Sequence, residues 1–151
     1  MKIDRNDILD VMDRADAVYL ATVDGSEPRI RAMVNYRRTD IYPGASAFAR
    51  AAGFSVYFCT SAASGKMREL RENPAASAYF ALPRDSKGVM LAGYVEVLDD
   101  KAPKEALWDD RWRVYWAAGP ADPDCVILRL TPKSATGWWG SEPFYLDLRA
   151  S

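Results

Sequence analysis

The sequence contains no histidine among its 151 residues. This absence excludes every mechanism in which the chain itself supplies an imidazole, including Ser-His-Asp triads, Cys-His dyads, His-ligated zinc and haem with a proximal histidine. Five Trp and eight Tyr residues are present. The chain is therefore rich in aromatic residues but poor in side chains suited to acid–base catalysis near neutral pH.

Cysteine, long apolar runs and excess charge are also scarce. Cys59 and Cys125 are too few for a structural zinc site, and each lies in an apolar stretch typical of a free buried thiol. No window approaches the ~18 apolar residues that span a bilayer, and the N-terminus has no signal-peptide core, so we expect a cytoplasmic protein without a membrane partner. The net charge of −1 argues against nucleic-acid binding, which needs a positive field.

The spacing of apolar residues predicts a small barrel in a single domain spanning residues 1–151. Helical periodicity predicts helices at 3–14 and 61–73. It also predicts a helical segment at 101–117 in which Asp109-Asp110 is a candidate break, whereas 37–53 is predicted as a loop that could include a short helix. Strands are predicted at 17–23, 29–36, 54–60, 75–82, 89–98, 125–131 and 134–139. This order is typical of an antiparallel α+β barrel, not of a βαβ nucleotide fold.

One segment combines the features of an anion site. A predicted strand runs into the sequence Phe58-Cys59-Thr60-Ser61-Ala62-Ala63-Ser64-Gly65-Lys66, where a helix begins. Backbone N–H groups at a helix N-terminus, hydroxyl groups and one ammonium group together can cradle a phosphate. The alternative is a Ser-capped surface helix with a solvated lysine.

Two arginines lie two residues apart on a predicted strand. Arg29 and Arg31 therefore point to the same face, and guanidinium forks suit phosphate groups. The alternative is an exposed strand face on which both arginines are solvated.

The order and spacing of these motifs resemble the pyridoxamine 5'-phosphate oxidase-like FMN-binding split-barrel superfamily, and most of all its bacterial general stress proteins. The resemblance rests on Arg31-Ala32-Met33, on the segment 58–66 and on Asn73-Pro74. It covers nearly the whole chain, including a long strand with a central Gly93 and a C-terminal half that ends at Trp138-Trp139. It implies an α+β, mainly β fold: an antiparallel Greek-key split barrel of six to seven strands with flanking helices.

The resemblance also implies a homodimer with two FMN sites at its interface. Arg31 matches the family's first-strand arginine, and backbone groups of 32–34 would line the isoalloxazine ring. Trp116, Trp138 or Trp139 would wall the ring, unless these residues only pack. The residues that we expect at the cofactor are Arg29, Arg31, Ala32, Met33, Val34, Phe58, Cys59, Thr60, Ser61, Ser64, Gly65, Lys66 and Trp138.

Three departures from the family pattern argue against pyridoxamine phosphate oxidation. Gly65 stands where the oxidases usually have arginine, Gly88 stands where they carry glutamine, and the substrate histidine is missing. We therefore expect an FMN-dependent oxidoreductase with another small-molecule substrate. The alternatives are a non-catalytic flavin or deazaflavin sensor and a haem protein, although haem with a histidine ligand is disfavoured.

Overall fold

A computed structural model of the chain describes residues 2–149, which form seven strands and four α-helices. The helices are α1 (Arg5–Arg14), α2 (Pro43–Ala51), α3 (Gly65–Glu72) and α4 (Lys101–Leu107). The strands are β1 (Ala17–Asp24), β2 (Glu27–Val34), β3 (Val56–Ser61), β4 (Ala75–Leu82), β5 (Lys87–Leu98), β6 (Cys125–Trp139) and β7 (Glu142–Asp147). Short 3-10 helices lie at Pro83–Asp85, Asp110–Val114 and Gly119–Ala121. Across residues 2–149, every helix is too short or too polar to cross a membrane.

The seven strands form one curled antiparallel sheet. Its order is β2-β1-β4-β5-β6-β3, and β7 pairs with β6. The two strands at the ends of this order, β2 and β3, are not paired with each other in the described chain, so the barrel stays open along the seam between them. The predicted mainly β split-barrel fold is confirmed.

The concave face of the sheet holds the main hydrophobic core. Alternate residues of the strands point inward, and Phe58, Phe80 and Leu91 are almost fully buried. α1 packs against β4 and β5 through an apolar stripe that includes Ile8. The N-cap residue Asp4 forms a capping box with Asp7, which stabilises the first turn of α1.

The structure differs from the sequence prediction mainly in the C-terminal half. The predicted strands 125–131 and 134–139 are one continuous strand, β6, and β7 was not predicted separately. Pro132 is tolerated inside β6 because it lies opposite Gly93, next to a register shift that forms a β-bulge. A side chain at position 93 would collide with the Thr131 carbonyl group, so this close approach requires glycine.

The structure refines two helical predictions. The region 37–53 contains the short helix that the sequence allowed, α2, which Pro43 begins. The segment 101–117 is helical as far as Leu107, and a 3-10 turn follows at Asp110–Val114, so the break lies close to the predicted position at Asp109-Asp110.

Candidate functional site

A cavity of about 490 Å³ lies at the open seam of the barrel. β2 and β3 form two of its walls, and a third wall comes from the segment after α4. Because an edge strand leaves backbone N–H and C=O groups without ladder partners, this seam offers polar backbone groups to a ligand. The lining residues are Ala32, Met33, Val34, Tyr36, Cys59, Thr60, Ser61, Lys66, Trp112, Tyr115 and Trp116.

The basic end of the cavity lies where β3 passes into α3. The Lys66 Nζ donates a hydrogen bond of 2.7 Å to the Thr60 hydroxyl group, which itself lies 3.4 Å from the Ser64 hydroxyl group. α3 begins at Gly65, so the positive end of its dipole points toward the same place. An ammonium group, hydroxyl groups and a helix N-terminus therefore converge as the sequence predicts.

The charge of Lys66 is poorly compensated in this position. Burial lowers the pKa of Lys66 below the ordinary value for lysine, and the nearby Arg31 guanidinium lowers it further, whereas Glu69 raises it. A bound anion would stabilise the charged ammonium group. The site is therefore suited to a phosphate.

Arg31 takes part in a buried polar triad behind the cavity wall. Its guanidinium group donates to the Glu69 carboxylate at 2.9 Å and to the Thr22 hydroxyl group at 2.7 Å. The Thr22 hydroxyl group donates in turn to the same carboxylate oxygen at 2.6 Å. Hydrogen bonds from Thr22 and Arg31 lower the pKa of Glu69 against the effect of burial. Since Glu69 lies one helical turn after Lys66, the triad fixes the face of α3 that Lys66 occupies.

Aromatic residues form the wall opposite the basic end. Trp112 stacks on Tyr42 at a centroid distance of 6.4 Å, and Tyr115 lies 6.0 Å from Trp112 and 5.9 Å from Trp116. Within residues 2–149, the indole N–H groups of Trp112 and Trp116 are buried and have no hydrogen-bond partner. Unpaired buried donors of this kind are typical of a site that a ligand, water or second chain completes.

The structure brings seven of the predicted cofactor residues to the cavity wall. These are Ala32, Met33, Val34, Cys59, Thr60, Ser61 and Lys66. Ser64 and Gly65 lie beside them at the start of α3. Sequence reasoning named Trp116 as a candidate but missed Tyr36, Trp112 and Tyr115, because the aromatic run 112–116 was assigned to a helix.

The other predicted residues lie away from the cavity in the single chain. Arg29 is exposed and forms ion pairs with Asp24 and Glu27 at 3.2 and 3.3 Å. Phe58 is buried in the core, and Trp138 is 55% exposed on β6. The contact of these residues with a cofactor stays a prediction.

Solved structures with the same fold include two related to general stress proteins. A protein from Clostridium acetobutylicum related to general stress protein 26 is 23% identical, with a TM-score of 0.74 and 97% of each chain covered. General Stress Protein 26 from Bacillus anthracis is 18% identical, with a TM-score of 0.75 and coverage of 95% of this chain and 98% of that one. A heme binding protein from Mycobacterium smegmatis is 14% identical, with a TM-score of 0.65; the alignment covers 97% of this chain and 59% of that protein.

The fold and its cavity define the class of protein, which is a split barrel with a cavity at its open seam. The match to a family model then assigns the family. The model described as "Pyridoxamine 5'-phosphate oxidase like" matches residues 41–146. The chain belongs to the pyridoxamine 5'-phosphate oxidase-like family, as its sequence motifs predicted. A search of curated proteins finds no match.

Proposed function

We propose that the protein binds FMN in the cavity between β2 and β3 and acts as an FMN-dependent oxidoreductase. The observation that carries the proposal is the pairing of a phosphate-type donor set at Lys66 with a free strand edge at 32–34 on one cavity. The volume of about 490 Å³ lies in the range of small-molecule sites. A bound flavin supplies the redox centre, so the protein needs only to bind, orient and shield it.

The residues divide into three groups in this proposal. Lys66, Thr60 and Ser61 hold the phosphate together with the N-terminus of α3. Backbone groups of 32–34 bind the polar edge of the ring system, and the aromatic wall around Trp112 covers its apolar part. This arrangement leaves Arg31 as a support for the cavity wall.

The direct test is a spectrum and a titration. We expect the purified protein either to show flavin absorption or to quench FMN fluorescence on titration, with one FMN per chain. Colourless protein that leaves FMN fluorescence unchanged would contradict the proposal. A haem-type absorption band in the purified protein would instead favour the ligand named for the mycobacterial protein of the same fold.

Position 88 supports a substrate other than pyridoxamine phosphate. Gly88 is buried under the phenol ring of Tyr79, which occupies the space that a side chain would need. A glutamine at this position, as in the oxidases that the sequence resembles, would displace Tyr79. The absence of that glutamine side chain supports our proposal that the substrate is another small molecule.

The alternative is a flavin- or deazaflavin-binding protein without turnover. In the part of the chain that the structure describes, the cavity wall contains neither a carboxylate nor an imidazole group. Anaerobic NADH or NADPH should reduce bound FMN, and an added acceptor should reoxidise it, if the protein is an oxidoreductase. Bound FMN that stays oxidised with both donors would favour storage or sensing.

The homodimer that the resemblance implies is supported by the convex face of the sheet. A row of side chains crosses it, with one residue on each of five neighbouring strands. In the order of the strands these residues are Tyr19, Tyr79, Met90, Thr136 and Tyr145, and each lies opposite the next. The four large members are 36–64% exposed. A row of exposed large side chains, in which Thr136 is the one small polar member, favours an interface, and we propose that a second copy of the chain covers it.

Replacing Met90, in the middle of this row, with glutamate should disrupt the dimer. We expect the dimer dissociation constant to rise at least about tenfold, because the carboxylate would be buried against apolar surface. Val97→Glu is the matched control, since Val97 is also exposed on β5 but lies outside the row. Sedimentation velocity measures the change, and wild-type protein that is monomeric at micromolar concentration would contradict the dimer.

The pH dependence of FMN binding tests the role of Lys66. Because the pKa of Lys66 is lowered, its charge is lost at a lower pH than for a free lysine, and FMN binding should weaken as the pH rises through that range. Lys66→Arg keeps its charge and should bind equally well across it. Riboflavin, which has no phosphate, serves as the ligand control. If FMN binding by wild type and by Lys66→Arg depended on pH in the same way, the phosphate would not lie at Lys66.

A further inference from the structure

The only two cysteines of the chain meet across β3 and β6. The Sγ atoms of Cys59 and Cys125 lie 3.3 Å apart, although the residues are 66 positions apart in sequence. Cys59 lies opposite Ile127, and Cys125 lies opposite Ser61, so the two thiols are diagonal neighbours on one face of the sheet. Each is a free thiol in this structure.

The two thiols differ in their access to solvent. Cys59 belongs to the cavity wall, whereas Cys125 is 1% exposed and lies behind it. A small reagent that enters the cavity therefore meets Cys59 before Cys125. The Cys125 sulfur is the nearest group able to react with a modified Cys59.

A disulfide bond between these residues requires a local shift at the start of β6. An S–S bond of ~2.05 Å requires the sulfur atoms to approach by about 1.3 Å from their present separation. Cys125 is the first residue of β6, so the shift falls at the end of the strand ladder. The Ala62 N–H group donates to Asp124, which keeps the turn close to the end of β3.

The electrostatics assign different roles to the two thiols. The hydrogen bond from Cys59 lowers the pKa of Cys125, and the Lys104 ammonium group on α4 lowers it further against the effect of burial. The interaction with Cys125 and burial both raise the pKa of Cys59. The Lys104 ammonium group thus favours a thiolate on Cys125, whereas Cys59 is the cysteine on the cavity wall.

We propose that Cys59 and Cys125 form a reversible disulfide when a hydroperoxide enters the cavity. The Cys59 sulfur, as thiolate, attacks one peroxide oxygen; the O–O bond breaks, and the other oxygen leaves as water or an alcohol. The Cys125 sulfur then attacks the sulfenic acid on Cys59, the S–S bond forms, and water leaves. With hydrogen peroxide, two thiols and one peroxide give one disulfide and two water molecules. The site needs no flavin and so goes beyond the function proposed above.

The rate of this reaction should reflect the two pKa shifts. The first step is slow for a peroxide-reactive thiol, because the raised pKa of Cys59 keeps the thiolate fraction small. The second step is fast, since the two sulfur atoms are already in contact. The sulfenic acid should therefore not accumulate in the wild-type protein.

The test is peroxide treatment of the reduced, folded protein, followed by N-ethylmaleimide in denaturant and intact mass measurement. We expect the product to have lost two hydrogen atoms, to take up no N-ethylmaleimide and to return to two reactive thiols after dithiothreitol. The ratio of intramolecular disulfide to sulfenic and sulfinic acid should be at least about tenfold higher in the folded protein than in the urea-unfolded chain, because folding brings the sulfur atoms together.

Cys59→Ser and Cys125→Ser are the matched variants. In Cys125→Ser, the sulfenic acid on Cys59 should persist long enough for dimedone to trap it, whereas Cys59→Ser should react more slowly because Cys125 is buried. Should either serine variant fail to fold, the wild-type comparison of folded and unfolded chains still decides. Two thiols that stay reactive, a disulfide only between chains, a sulfinic acid as the main product, or the same ratio of disulfide to sulfenic and sulfinic acid with and without urea would each overturn the proposal.

Discussion

Replacing Lys66 with alanine is expected to weaken FMN binding by about 1.5–3 kcal/mol, roughly a ten- to hundredfold rise in Kd. Lys66 is the cation that reaches the cavity wall among the predicted phosphate ligands, since Arg29 pairs with Asp24 and Arg31 pairs with Glu69. Its loss would leave the phosphate with hydroxyl and backbone donors alone. The effect should be absent for riboflavin, which has no phosphate.

Fluorescence quenching or isothermal titration calorimetry measures this change. The matched control is Arg68→Ala, which removes a positive charge from the same helix at a position that pairs with Asp24 outside the cavity. We expect the control to change the Kd of FMN by less than about twofold, because an exposed charge is screened by solvent. An equal loss in both variants would indicate a long-range effect of charge, and an unchanged Kd in Lys66→Ala would remove Lys66 from the site.

The second large effect is expected in stability. Glu69→Gln should lower the free energy of unfolding by about 3 kcal/mol, because it leaves the Arg31 guanidinium group without its buried counter-charge. Glu69 is 6% exposed, and its carboxylate oxygen accepts from both Arg31 and Thr22. No other carboxylate is recorded as an ion-pair partner of Arg31 in the described residues.

Urea denaturation measures this loss, and Glu72→Gln is its control. Glu72 belongs to the same helix, but its side chain is 62% exposed and its contact with Arg68 is 3.8 Å long. We expect the control to change stability by less than about 0.5 kcal/mol. Equal stabilities of Glu69→Gln and wild type would mean that the triad makes no net contribution to the fold.

The same carboxylate gives the stability a pH dependence of known sign. The folded-state pKa of Glu69 is lowered, so the carboxylate contributes stability above the pKa of the unfolded chain and loses it as the pH falls through the folded-state value. Wild-type protein should therefore lose more stability than Glu69→Gln between neutral pH and pH below about 4. Identical pH profiles of the two proteins would assign the acid sensitivity to other carboxylates.

The triad also connects stability to the cavity. Glu69 and Lys66 lie one turn apart on α3, and the contacts of Glu69 with β1 and β2 hold that helix against the sheet. A fold that lacked these contacts would present Lys66 less well to a ligand. Helix α3 therefore contributes both Lys66 to the cavity wall and Glu69 to the contacts that hold the helix against the sheet.

Much of the fold follows from local sequence. Alternating apolar residues place the strands to within a few residues, and β4 was predicted with its observed bounds. The start of α3 after Ser64 and the bulge at Gly93 also follow from local patterns. The order and spacing of the motifs were enough to identify a resemblance to the family, and the family model confirms it.

Other features depend on contacts between distant residues. Whether Arg31 faces a ligand or a protein carboxylate is decided by the packing of α3 on β1, which brings Glu69 within 2.9 Å. The aromatic wall at 112–116 reaches the cavity only because the helix predicted there ends at Leu107. Periodicity alone does not show where such a segment packs.

The cavity shows most clearly which features follow from local sequence and which depend on contacts between distant residues. The residue types that line it, and the strand and helix that carry them, can be read from the sequence around Ala32 and Lys66. That β2 and β3 are the two ends of one curled sheet, and so face each other across a seam, depends on the pairing of strands far apart in the chain. Local propensity favours a strand without selecting its partner, and only burial of the shared core makes that selection.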